Sequence, residues 1–119
     1  MQQLYFGEAL DSIKKVILSG FTPGQTLRNN FSEAMMDSRN CVGFNKLYKP
    51  AVMVLQVPSS SKLIMETESG FMVVKKFAPI STEIILCKID FRSPQFIKMV
   101  EQISPIALIE MEIGRLSNI

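Results

Sequence analysis

The stretch that most constrains the fold is "AVMVLQV", Ala51 to Val57, apolar at every position except Gln56 and partly β-branched. A run this short and this unbroken suits a strand buried on both faces. Such a strand sits inside a sheet with other elements packed against it. With 119 residues, the chain has room for one domain and not for two ordinary ones. The expectation is therefore a single domain over residues 1–119. Its 47% hydrophobic and 20% charged content argues for a folded core.

Around that strand the periodicity predicts further elements. Phe6, Ala9, Leu10, Ile13, Val16 and Ile17 recur at helical spacing, with Glu8, Asp11, Lys14 and Lys15 on the other side and Gly20 as the stop. Thr22-Pro-Gly-Gln25 reads as a capping box that opens a second helix, running to about Ser38 on Leu27, Phe31, Ala34 and Met35. Asn29-Asn30 weakens that reading, because these side chains compete for backbone hydrogen bonds. Asn40 to Pro50 reads as a loop.

Lys62–Thr67 and Phe71–Phe77 read as a hairpin closed by Glu68-Ser69-Gly70, with Gly70 left-handed. That register places Leu63, Met65 and Thr67 on one face with Phe71 and Val73. Thr82 to Phe91 alternates as a strand. "SPQFIKMVEQI" reads as a helix capped by Ser93 and broken at Ser104-Pro105, and Ile106–Ile113 as a last strand. The expected class is α+β: a mainly antiparallel sheet of about five strands, with N-terminal helices and one C-terminal helix packed against it.

The chain contains no histidine. That removes Ser-His-Asp and Cys-His nucleophiles and imidazole-ligated zinc. Phosphate loops of the GxxxxGK[ST] and GxGxxG kinds are also missing. The expectation is a protein that is not an enzyme and carries no cofactor or metal. No apolar run is long enough to span a bilayer, and "MQQLYFGEALDS" is not a secretory signal. Cys41 and Cys87 belong to no CxxC motif and read as reduced thiols of a cytoplasmic protein; a single bridge is the alternative.

Four features compete for a functional reading. Ser38–Pro50 mixes Arg39, Lys46 and Lys49 with Phe44 and Tyr48, as single-strand nucleic-acid binders do, or is a solvated loop anchored by two aromatics. A net charge of +2 makes no demand for a nucleic-acid partner. Glu66/Glu68 and Glu110/Glu112 are spaced to share a strand face, which suits paired carboxylates or an outward charged row. The methionines suit either an adaptable surface or core filling in a chain without tryptophan.

The fourth feature is the corner Phe77-Ala-Pro-Ile-Ser-Thr82. Together with "FGEALDSIKKVILSGF" (6–21), "LIMETESG" (63–70), "FAPISTEIIL" (77–86) and Asp90-Phe91, it resembles in collinear order the second type of Thoeris inhibitor. These are phage anti-defence proteins that counter bacterial Thoeris immunity. Phe21, Phe77 and Phe91 stand where that family has tryptophan, and about half of the chain is covered.

The resemblance implies a non-catalytic homo-oligomer that sequesters a nucleotide-derived immune signal, a cyclic ADP-ribose isomer or cyclic oligonucleotide, in the host cytoplasm. It makes Phe21 and Phe77 the stacking residues. Ser81, Thr82 and Asp90 become the hydrogen-bonding ones, and Arg28, Arg39, Lys75 and Lys76 the available cations. The alternative for the corner is a strand connection with Phe77 in the core. For the whole protein the alternatives are a module docking on a host protein and a single-strand nucleic-acid binder.

Overall fold

The computed structural model describes residues 1–43, 48–58, 62–89, 92 and 97–117, with the backbone alone at 81, 82 and 112–117. The elements run β1 (Gln2–Ala9), α1 (Leu10–Ser19), β2 (Thr26–Leu27), α2 (Phe31–Val42), β3 (Pro50–Val57), β4 (Ile64–Thr67) and β5 (Gly70–Val73). They continue as β6 (Ile80–Lys88), β7 (Lys98–Ile103) and α3 (Pro105–Ser117). The fold is α+β. Its strands form two antiparallel sheets, ordered β1-β3-β6-β7 and β2-β5-β4.

β3 sits at the heart of the larger sheet, as its composition demands. Ala51, Met53, Leu55 and Val57 face one core with Leu4, Phe6, Ile13, Val16, Ile84 and Leu108, while Val52 and Val54 face another with Ala34, Ile85 and Ile97. Thus α1 and α3 cover one side and α2 covers the other. The smaller sheet adds Leu27 and Val73 to the first core. The sheets meet where Tyr5 and Arg28 exchange backbone hydrogen bonds of 2.7 and 2.8 Å.

On the far side, α2 lies directly on β1. A Cβ built at Gly7 would stand 1.7 Å from the carbonyl oxygen of Ala34. Only a residue without a side chain permits that approach.

Several expectations are corrected by pairing partners. The first helix begins at Leu10, because residues 2–9 pair along their whole length with β3. Leu4 and Phe6 alternate inward at strand spacing, and Phe6 and Ala9 fit the helical pattern only by coincidence of the two periods. At Thr22–Gln25 half of the capping box forms: the Thr22 N–H donates to Gln25 Oε1 at 2.7 Å. No helix follows. Gly24, at φ +95, bends the chain, and hydrogen bonds of 2.8 and 2.9 Å tie Gly24 and Gln25 to Val73. The helix starts later, at Phe31, where Asn30 Oδ1 accepts the Glu33 N–H at 3.2 Å. Asparagine's taste for backbone bonds is what makes it the cap.

The C-terminal third is exchanged in type. Lys98–Ile103 is a strand on β6, with a bulge between Leu86 and Cys87, and Pro105–Ser117 is a helix. Ser104 Oγ accepts the Ala107 N–H at 3.0 Å, so Ser104-Pro105 starts α3 as N-cap and first helical residue. The expected cap Ser93 lies outside the described residues.

In the hairpin the loop is two residues, Glu68-Ser69, because Gly70 pairs with Thr67. One residue fewer in the loop reverses the faces. Ile64 and Glu66 now share a face with Val73 and Phe71, and Met65 faces the other way, half-exposed.

Candidate ligand groove

The corner singled out by the sequence is a seam lying outside both sheets. Phe21 and Phe77 bridge through backbone hydrogen bonds of 2.7 and 3.3 Å. Their rings lie 5.2 Å apart at 31°, and Phe6 meets Phe21 edge-on at 5.1 Å. Phe21 has 0% of its surface exposed. It has no ring face to offer a ligand, and its expected stacking role is corrected to that of a core residue. Phe77 is half-buried and packs on the same core. Ser81 and Thr82 lie in β6, with Ser81 opposite Leu55, but their side chains lie outside the described structure, as does Asp90 altogether. Of the five expected site residues, the described structure brings only Phe21 and Phe77 together.

An open groove lies elsewhere, where β1 hands over to α1. It encloses about 680 Å³ and is lined by Glu8, Asp11, Lys14, Lys15, Cys41 and Tyr48 among others. That volume falls within the range of small-molecule sites. Its helical wall follows from spacing: positions 11, 14, 15 and 18 fall on one stripe of α1, facing away from buried Ile13 and Val16. The Leu10 N–H donates to the Lys49 carbonyl at 2.7 Å, which holds the start of α1 against the entry to β3. Tyr48, half-exposed, stands beside that joint, and Cys41 enters from the last turn of α2.

The groove's electrostatics are mixed and ordered. Asp11 and Lys14 approach to 3.8 Å, with 68% of the Asp11 side chain exposed and 16% of the Lys14 side chain. Although Cys41 is exposed as a residue, its thiol is partly desolvated at the groove wall. Burial first, then the neighbouring carboxylates of Glu8 and Asp37, push its pKa up to about 12. Burial alone pushes Cys87 up to about 11. Both thiols are free, so the bridge alternative is not realised, and both are protonated at neutral pH.

A second cavity of about 330 Å³ lies beside the β4–β5 turn and has Arg28, Glu33, Glu66 and Glu68 on its wall. Arg28 holds Asp37 in a fork of 2.7 and 3.1 Å, donates to the Ser69 carbonyl, and lies 3.7 Å from Glu33. The hydrogen bond to Asp37 raises its pKa further. Arg28, expected as a phosphate cation, therefore pins β2, α2 and the hairpin turn to one another.

The paired-carboxylate readings fall away. Glu68 lies in a turn, and positions 110 and 112 belong to a helix rather than to the strand that the pairing required. Among the described residues no group of three or more acidic, cysteine or histidine residues is placed to hold a metal ion, and no helix is long and apolar enough to cross a membrane. Phe44 and Lys46 of the basic-aromatic segment lie outside the described residues, and Arg39 belongs to the last turn of α2. Met53 is buried, whereas Met65, Met99 and Met111 are exposed.

The sequence marked Glu8, Asp11, Lys14 and Lys15 only as the polar side of a helix. Their partners Cys41 and Tyr48 join them through tertiary structure alone. No family model matches this chain, and neither the curated proteins nor the solved structures include a match to it.

Proposed function

We propose that the protein is a non-catalytic binder that sequesters a small nucleotide-derived molecule in the groove between α1 and Tyr48. The observation that carries this reading is the convergence of two ammonium groups, two carboxylates and an exposed phenol ring around about 680 Å³ of open space. Lysines neutralise phosphate as point charges, carboxylates accept hydrogen bonds from ribose hydroxyls, and aromatic rings stack on bases. Binding without turnover is supported by the absence of histidine from the chain and by two thiols held in their unreactive form. The resemblance to Thoeris inhibitors supports the same ligand class, at a place other than the Phe21–Phe77 seam. Host-cytoplasmic action as a homo-oligomer belongs to this proposal.

The test is a mass-spectrometric inventory of small molecules released on denaturing the purified protein. The expected result is an intact nucleotide-derived compound that is lost from a Lys14→Glu, Lys15→Glu variant. Recovery of a converted product would point to an enzyme instead, and an empty inventory with no binding of added nucleotides would overturn the reading.

A second reading, docking onto a partner polypeptide, is favoured by one feature. β7 is the outer strand of its sheet, and Met99 and Val100 are 52% and 59% exposed. An edge of that kind accepts an added strand. Co-purification of a host polypeptide that is lost on Val100→Pro would favour it over the groove.

A further inference from the structure

β7 is the outer strand of its sheet, and residues 98–102 are all exposed. It opens on Lys98-Met-Val-Glu101, a base and an acid enclosing two apolar residues that are 52% and 59% exposed. Run antiparallel against a copy of itself, this segment sets each Lys98 opposite a Glu101 and each Met99 opposite a Val100. A parallel copy in register would set lysine on lysine and glutamate on glutamate instead.

A regular strand could not use that antiparallel register. Opposed residues must direct their backbone groups alike, and in a regular strand residues three apart direct them to opposite edges. The bulge between Leu86 and Cys87 removes the obstacle. Glu101 pairs with Leu86 and Lys98 with Lys88, two positions apart on β6, so Lys98 and Glu101 share one side-chain face and one hydrogen-bonding edge. The same register leaves Lys88 directly opposite Lys98, and like charges so placed repel. A carboxylate arriving on the outer side of Lys98 offsets that repulsion.

We infer that β7 is the contact between two copies of this chain, joined antiparallel about a twofold axis between Met99 and Val100, so that two four-stranded sheets become one. Opposed Cβ atoms then stand about 4.5–5.5 Å apart, within reach of an ion pair. A bulge and a lysine also serve to blunt an edge against foreign strands. What selects a second copy is that the complement of each charge lies in the segment itself, as a twofold contact requires. This contact is independent of the groove, and β7 lies outside the segments that carry the family resemblance. Six residues a side bury less than the roughly 1,200 Å² of a stable interface, so the dimer is reversible and concentration-dependent.

The experiment is sedimentation velocity of the full chain from about 10 µM to about 1 mM, the range in which a small interface associates. The wild type is expected to move from 13.4 kDa toward twice that mass. Lys98→Glu and Glu101→Lys should each weaken self-association by about tenfold or more, because each reversal sets two like-charge pairs across the axis. An equimolar mixture of the two variants should regain wild-type association, since one copy then carries glutamate and the other lysine at both positions. Recovery on mixing also shows that both variants are folded.

A wild type that stays at 13.4 kDa throughout would overturn the contact and leave ligand capture in the groove standing. A dimer indifferent to both reversals would overturn it as well, as would folded variants, judged by circular dichroism, that fail to associate on mixing. A host polypeptide held by the wild type in place of the copy, and released by either reversal, would overturn it in favour of docking on a partner.

Discussion

Replacing Gly7 with alanine tests the packing of α2 on β1 most directly. The added Cβ would lie 1.7 Å from the Ala34 carbonyl oxygen, where real contacts are essentially never under 3.0 Å. The helix must therefore withdraw from the strand by about 1.3 Å or more. The obstacle is backbone, so no rotamer change relieves it. A gap of 0.5–1 Å already forfeits a quarter to a half of each van der Waals well, and Ala34, Phe31 and Met35 all pack on that face.

Overpacking of this kind costs about 3 kcal/mol, the upper end of its usual range. Alanine returns about 0.4–1 kcal/mol by restricting the unfolded chain. The net loss of at least about 2 kcal/mol corresponds to a fall in Tm of roughly 6–10 °C for a domain of this size. Thermal denaturation and amide hydrogen exchange are the assays, with protection expected to fall in α2 before α1. An unchanged or raised Tm would mean that only the unfolded-state effect operates, and the described contact of α2 with β1 would be refuted.

Other perturbations have signs that follow from the geometry. Asp37→Asn removes the charge that holds the Arg28 fork, in a pair with side chains 22% and 27% exposed; a loss of about 1–2 kcal/mol in urea unfolding is expected, with faster exchange in the β4–β5 turn. Ser104→Ala removes the cap of α3 and should cost about 1 kcal/mol, read by circular dichroism and thermal melting, whereas on the broken-helix reading it would cost nothing. The thiols give a pH dependence. Their folded pKa values, about 12 and 11, lie above the ordinary 9.0, so the unfolded chain loses these protons first. The stability they contribute is full below pH 9 and falls as pH rises toward 11–12, and a Cys41→Ala, Cys87→Ala variant should show a shallower decline in Tm over that window.

The helices and strands that the sequence misassigned share a cause. Phe6 and Ala9 fit a helix of 3.6 residues and a strand of two, and only the eight-pair register with β3 chooses between them. Lys98–Ile103 satisfies a helical stripe equally well, and pairing with β6 overrides it. Ser104-Pro105 is a stop when read from the left and a start when read from the right, since the same two residues end one element and cap the next. Local propensity is symmetric in that respect, and tertiary partners are not.

The site was less legible than the fold. An aromatic pair at 21 and 77 is a fair candidate for stacking in a linear chain, but in three dimensions the two residues close a seam and Phe21 is sealed within it. The groove's helical wall was visible as a charged stripe, yet such a stripe is ordinarily just the wet side of a helix. What turns it into one wall of a cavity is the arrival of Cys41 and Tyr48 from elements more than 20 residues away.

By itself the sequence determined the α+β class, the doubly buried β3, the buried face of α1, the α2 region and the hairpin around 68–69. It also determined the chemistries that a chain without histidine forgoes. These follow from composition and short-range periodicity, which act within a few residues. Tertiary structure alone decided the split into two sheets, the type of the last two elements, the hairpin's faces, and which polar side chains share a cavity. Those outcomes depend on contacts between distant residues, where pairing and close packing outweigh the small differences in local preference.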